Sequence, residues 1–110
     1  MAEAMMYLKL HDGENGTVIA MCDESLIGSV LEAGDVVIDI KSYAEFYMGA
    51  LMDRAGALKA IFNVGSIQSA NIIGKESVAV ALEAGLVNAQ NVKKVGNVPY
   101  AHAYTVKEPR

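Results

Sequence analysis

The sequence predicts an α+β fold: a mainly antiparallel sheet covered by helices, in a single compact domain spanning residues 1–110. Three observations carry this. Strand and helix patterns follow one another as β-β-α-β-α-α-β-β, without the regular alternation of a doubly wound parallel sheet, which stands as the alternative. A chain of 110 residues, 53% hydrophobic and 20% charged, suits one core and excludes disorder. No internal repeat and no break in composition divides it.

Residues 5–10 (MMYLKL) alternate as a strand, and the segment from His11 to Gly16 is rich in turn formers. Thr17–Cys22 is the second strand of a hairpin. Asp23 then reads as an N-cap, with Leu26, Ile27, Val30 and Leu31 at helical spacing and a stop at Gly34. Asp35–Ile40 is a third, buried strand. Ser42 to Glu45 fits a capping box, opening a short turn that carries Tyr43, Phe46 and Tyr47. Asp53 caps a helix over Arg54–Phe62. Residues 63–74 give no clear pattern: three isoleucines need burial, but Gly65 and Gly74 break regularity. Lys75–Ala84 is the clearest helix, with Gly85 at its end. Asn88–Asn91 is a turn. Val92–Val95 and Val98–Val106 are strands around a tight turn at Gly96-Asn97. In the last strand Val98, Tyr100, His102, Tyr104 and Val106 share one face.

Composition narrows the chemistry. Apolar runs fall well short of the ~20 residues that span a bilayer. The amino-terminal MAEAMMYLKL lacks the basic start of a signal peptide. A cytoplasmic location with no membrane partner is therefore expected. The single Cys22 excludes an intramolecular disulfide and a cysteine-based zinc site. With two histidines and scattered carboxylates, no metal and no cofactor is expected. The formal charge of −4 is uneven. Residues 1–40 hold eight acids and one base, a balance of −7, and residues 41–110 hold eight bases and five acids, a balance of +3. Either two charge faces exist or the halves interleave in three dimensions.

Two candidate sites emerge. Around Asn71, Gly74 and Lys75, a glycine and a lysine sit where free amides open a helix, which suits an anion such as phosphate. It is no Walker A loop, since Glu76 follows Lys75 and Ser69 stands where a glycine belongs. The same residues resemble the second half of a helix-hairpin-helix, and they also suit an ordinary glycine turn. The second candidate is the face of Tyr100, His102 and Tyr104, either a ligand surface with a titrating histidine or plain sheet packing. His11 is expected in an exposed turn. Cys22, next to Asp23 and Glu24, reads as a buried small hydrophobe, and the six methionines chiefly as core filling.

Five segments in order add a resemblance: Val18-Ile19-Ala20-Met21-Cys22-Asp23, Phe46-Tyr47-Met48-Gly49, Ala70-Asn71-Ile72-Ile73-Gly74, Glu83-Ala84-Gly85-Leu86-Val87, and Val98-Pro99-Tyr100-Ala101-His102. Together they resemble a family of small archaeal proteins known as a domain of unknown function. Met48 and Tyr100 depart from the family's usual glycine and histidine. The resemblance implies an archaeal origin and a single domain, and it supplies no catalytic residues. The function expected from the residues is binding of an anionic partner, RNA or a ribonucleoprotein, without catalysis. A small phosphorylated or carboxylated ligand, for an enzyme or a sensor, is the alternative, and a homodimeric structural subunit a third.

Overall fold

The computed structural model describes residues 4–104. Its centre is a six-stranded sheet. Strand β1 (Met6–Gly13) turns at Glu14-Asn15 into β2 (Gly16–Asp23), the antiparallel hairpin expected from the turn formers. On the far side of β2 lies β6 (Ile67–Ile73), which runs parallel to it. Beyond it come β8 (Val98–Tyr104) and β7 (Val92–Val95), an antiparallel hairpin closed at Gly96-Asn97. The short β5 (Ala50–Met52) edges β1, so the order is β5-β1-β2-β6-β8-β7. Among the described residues only β2 with β6 is parallel, and the fold is α+β with a mostly antiparallel sheet.

Residues 63–74, unreadable in sequence, hold a central strand. Bonded on both edges, β6 buries Ala70 and Ile72 on one face and Ser69 and Ile73 on the other, with Asn71 half-buried between them, so polar and apolar positions do not alternate cleanly. The antiparallel partner β8 carries the expected stripe as far as Tyr104; Thr105 and Val106 lie outside the described residues.

Helix α2 (Arg54–Phe62) has the expected cap: Asp53 Oδ1 accepts from the Gly56 amide at 2.8 Å. Helix α3 (Lys75–Glu83) follows β6 directly, so no first helix of a helix-hairpin-helix precedes it. Both helices cover one sheet face. Met6, Ile19, Met21 and Ile72 are fully buried there, and Ala57, Ala70, Ala81 and Ala101 keep the layers close. Each large aliphatic side chain buried here contributes about 1.5–3 kcal/mol.

The opposite face is covered differently from expectation. The helix expected after Asp23 is a single 3-10 turn, Glu24–Leu26, and then a strand, β3 (Val30–Ala33). Asp23 caps nothing locally, because its carboxylate is engaged elsewhere in the fold. Strand β4 (Val36–Asp39) exists as expected, but it pairs only with β3 in a separate two-stranded sheet, and Val36 and Val37 are exposed rather than buried. The capping box is also absent. Helix α1 (Ala44–Tyr47) starts after Tyr43, while Ser42 Oγ donates to Asp39 Oδ2 at 2.7 Å. Leu26, Ile27 and Leu31 are nonetheless packed inward, on a second core of Ala20, Cys22, Ile40, Tyr47 and Ile73. The fourth position of the expected stripe, Val30, is exposed, because a strand and not a helix carries it. Among the described residues, no helix is long and apolar enough to cross a membrane.

Candidate functional site

Alternation along β6 and β8 turns Asn71 and Ile73, and also Tyr100, His102 and Tyr104, away from α2 and α3. In antiparallel register His102 lies opposite Asn71, Tyr100 opposite Ile73, and Tyr104 opposite Ser69. Lys93 of β7 is the partner of Tyr100 on the other side. The Tyr100 and His102 ring centroids are 5.9 Å apart at 64°, and those of His102 and Tyr104 are 6.5 Å apart at 75°. The structure thus assembles the expected Tyr100, His102 and Tyr104 face and adds Asn71 and Lys93 to it.

Over this floor stands a wall that sequence patterning missed. Val36, Val37 and Ile38 of β4, then Asp39, Tyr43, Phe46 and Tyr47, face Asn71, Ile73, Tyr100 and His102 across an open groove of about 550 Å3. That volume is in the range of small-ligand sites. The aromatic residues of the wall were legible as a short turn; their position over β6 and β8 was not.

Strand β1 holds the wall in place. The His11 ring stacks on Phe46 with centroids 4.6 Å apart at 13°, and its Nε2 donates to the Phe46 carbonyl at 2.9 Å. Lys9 Nζ donates to the Glu45 carbonyl at 2.7 Å. Gly49 lets the chain pass close against β1, since a Cβ there would lie 2.7 Å from Lys9 Cα. His11 is therefore a half-buried anchor in a strand, not an exposed turn residue.

Asp39 lines the groove, and Lys93 lies on the adjoining face next to Tyr100. Asp39, from the acidic half, accepts from the Ser42 amide at 2.9 Å and from its hydroxyl, and these bonds hold its carboxyl below the usual range. Partial burial, and then the ammonium of Lys93, hold the His102 imidazole below its ordinary pKa. The ring therefore favours its neutral form, which suits stacking. Among the described residues, neither the Asn71 amide nor the His102 ring has a hydrogen-bond partner in the protein.

The anion site expected at Asn71, Gly74 and Lys75 needs correction. The carboxylate of Asp23 accepts from the Glu76 amide at 3.0 Å, the Ser77 amide at 2.8 Å and Ser77 Oγ at 2.7 Å. The amides that open α3 already hold an anion, and it belongs to the chain. Gly74 serves this internal contact: its φ of +113° and the closeness of Asp23 leave no room for a side chain. Lys75 is exposed at the first position of α3, and Asn71 lies on the opposite sheet face, in the groove.

Cys22 is fully buried, and burial followed by the charge of Asp23 pushes its thiol up to about 12. It is a packing residue with no thiolate to offer. Among the described residues, no three His, Cys, Asp or Glu side chains cluster to hold a metal ion.

Comparison with known proteins fits this fold. A family model described as a protein of unknown function, DUF424, matches residues 10–106. The chain is also similar to the crystal structure of an uncharacterized conserved protein from the archaeon Methanopyrus kandleri, with 27% identity, a TM-score of 0.77 and 97% of each chain covered. No curated protein matches.

Proposed function

We propose, for a chain that belongs to the DUF424 family of proteins of unknown function, that it acts by binding, and that its groove takes the flat ring of an anionic partner, foremost a base of RNA. One observation carries this reading: Tyr100, His102 and Tyr104 line an open sheet face beside Lys93, and Tyr100 and His102 join that face to the groove. Aromatic rings on a sheet accept unstacked bases without regard to sequence, and a neighbouring lysine attracts the phosphate. The groove replaces the amides of α3 as the binding element, because Asp23 has closed the latter.

The test is a filter-binding titration with single-stranded and structured RNA at low and moderate salt. Binding at low salt that weakens as salt rises is expected, since phosphate contacts release counterions. No binding at low salt overturns the reading.

The wall supports a second reading. A groove of about 550 Å3, bounded by β4 and α1, also has the size for one free phosphorylated or carboxylated ligand. A thermal-shift screen with mononucleotides and phosphosugars separates the two. A rise in melting temperature with a free ligand, and no retention of RNA, favours the small molecule.

A further inference from the structure

We infer that Asn71 reads the edge of the ring held in the groove, selecting a heteroaromatic ring that presents a hydrogen-bond donor next to an acceptor, as the amino-bearing edge of adenine does. The inference rests on the binding reading above and adds selectivity to it.

The side chain stands out chemically from its surroundings. Asn71 is half-buried on the groove floor, with Ala20 beside it on β2 and His102 beside it on β8. Along its own strand Ile73 shares its face, and that residue belongs to the second core. Covered by a ligand, the amide needs a partner, because a desolvated amide without one is costly. Among the described residues the protein supplies none, and in the open groove the amide is left to solvent, whereas the buried Ser77 and Asp23 are hydrogen-bonded to each other. A carboxamide carries its acceptor oxygen and its donor nitrogen side by side in one plane. Its complement is a flat edge with the same two functions reversed, the pairing by which asparagine takes the amino group and a ring nitrogen of adenine. The stacking rings are indifferent to which base they hold. Tyr100 and His102 also line the groove floor, but of the three only Asn71 offers a donor and an acceptor side by side in one plane.

The experiment compares two short single-stranded RNA oligomers, one of adenosine and one of purine riboside, which lacks only the exocyclic amino group. Affinities are measured by fluorescence anisotropy for the intact protein, for Asn71→Leu and for Asn71→Asp, which keeps the shape and loses the donor. The intact protein is expected to prefer the adenosine oligomer by at least about tenfold. Asn71→Leu is expected to abolish the preference. Asn71→Asp is expected to weaken adenosine binding, because a carboxylate has no donor for the ring nitrogen. Equal affinity of the intact protein for both oligomers, or a preference that survives Asn71→Leu, overturns the inference and leaves the binding reading standing. If neither oligomer binds the intact protein at low salt, the binding reading falls and the inference with it. The comparison of oligomers on the intact protein does not depend on either variant folding.

Discussion

Asp23 and residue 74 compete for one volume: a Cβ on residue 74 would lie 2.6 Å from Asp23 Oδ1, so the carboxylate reaches the start of α3 only because Gly74 is there. The carboxylate then binds the Glu76 and Ser77 amides and the Ser77 hydroxyl, across 53 and 54 residues of sequence. A buried anion at a helix amino terminus is favoured by the dipole and by the free amides. Asp23→Ala leaves these donors unmet and is expected to cost about 2 kcal/mol. Gly74→Ala strains the backbone and displaces the same carboxylate, and it is expected to cost at least about 2 kcal/mol. Urea unfolding of both variants checks this. If the two losses arise from one contact, the double variant loses much less than their sum.

Alkaline conditions are expected to destabilise the protein through its second core. Burial, with the charge of Asp23 adding to it, raises the Cys22 thiol from 9.0 to about 12. Burial, with Cys22 adding to it, raises the Tyr47 phenol from 10.0 to about 12. The unfolded chain releases these protons first, so the folded state binds more protons in this window. Stability is complete below the unfolded values and falls as pH rises from 9.0 toward about 12. Urea midpoints measured across this window should decline, and Tyr47→Phe should flatten the decline. The native thiol should also resist alkylation that the unfolded chain accepts.

His102 titrates in the opposite sense. Partial burial first, and Lys93 second, lower its pKa from 6.5. The unfolded state takes up the proton more readily, so the contribution of His102 to stability is complete above pH 6.5 and is lost as pH falls through the folded value. Proton NMR of the imidazole should give a midpoint below 6.5. Lys93→Met should move it upward only part of the way, because burial is the larger cause. A full return to the ordinary value would show that Lys93 dominates.

Tyr104 separates binding from folding. Its side chain is 74% exposed and belongs to neither core. Tyr104→Ala is expected to change stability by no more than about 0.5 kcal/mol. Loss of one stacking ring is expected to weaken RNA binding at least about fivefold. Unchanged RNA affinity would remove Tyr104 from the binding face. Tyr100 makes a poorer probe, since it also packs on the second core.

How much was legible depended on how local each signal is. The hairpins β1–β2 and β7–β8, and the helices α2 and α3, announce themselves through turn residues, caps and stops within a few positions of each element. Asp53 is such a case, bonding an amide three residues away. Asp23 has the same appearance in sequence but bonds amides of another element, so the helix expected after it does not form. The Tyr100, His102 and Tyr104 stripe was legible because strand alternation is a local rule. The wall from Val36 to Tyr47 was not, because its place depends on contacts of Glu45, Phe46 and Gly49 with Lys9 and His11 of the distant β1.

By itself the chain's sequence determined the class of fold, the hairpin at each end, the helices α2 and α3, and which residues share a face on β8. Those follow from backbone period and short-range hydrogen bonding, which neighbours along the chain decide. Only the tertiary structure decided that the anion at α3 is Asp23, that β6 joins the two halves of the sheet, and that Asn71 lies beneath a wall of aromatic side chains. These outcomes depend on which polar groups meet once water is excluded, and that is set by segments dozens of residues apart.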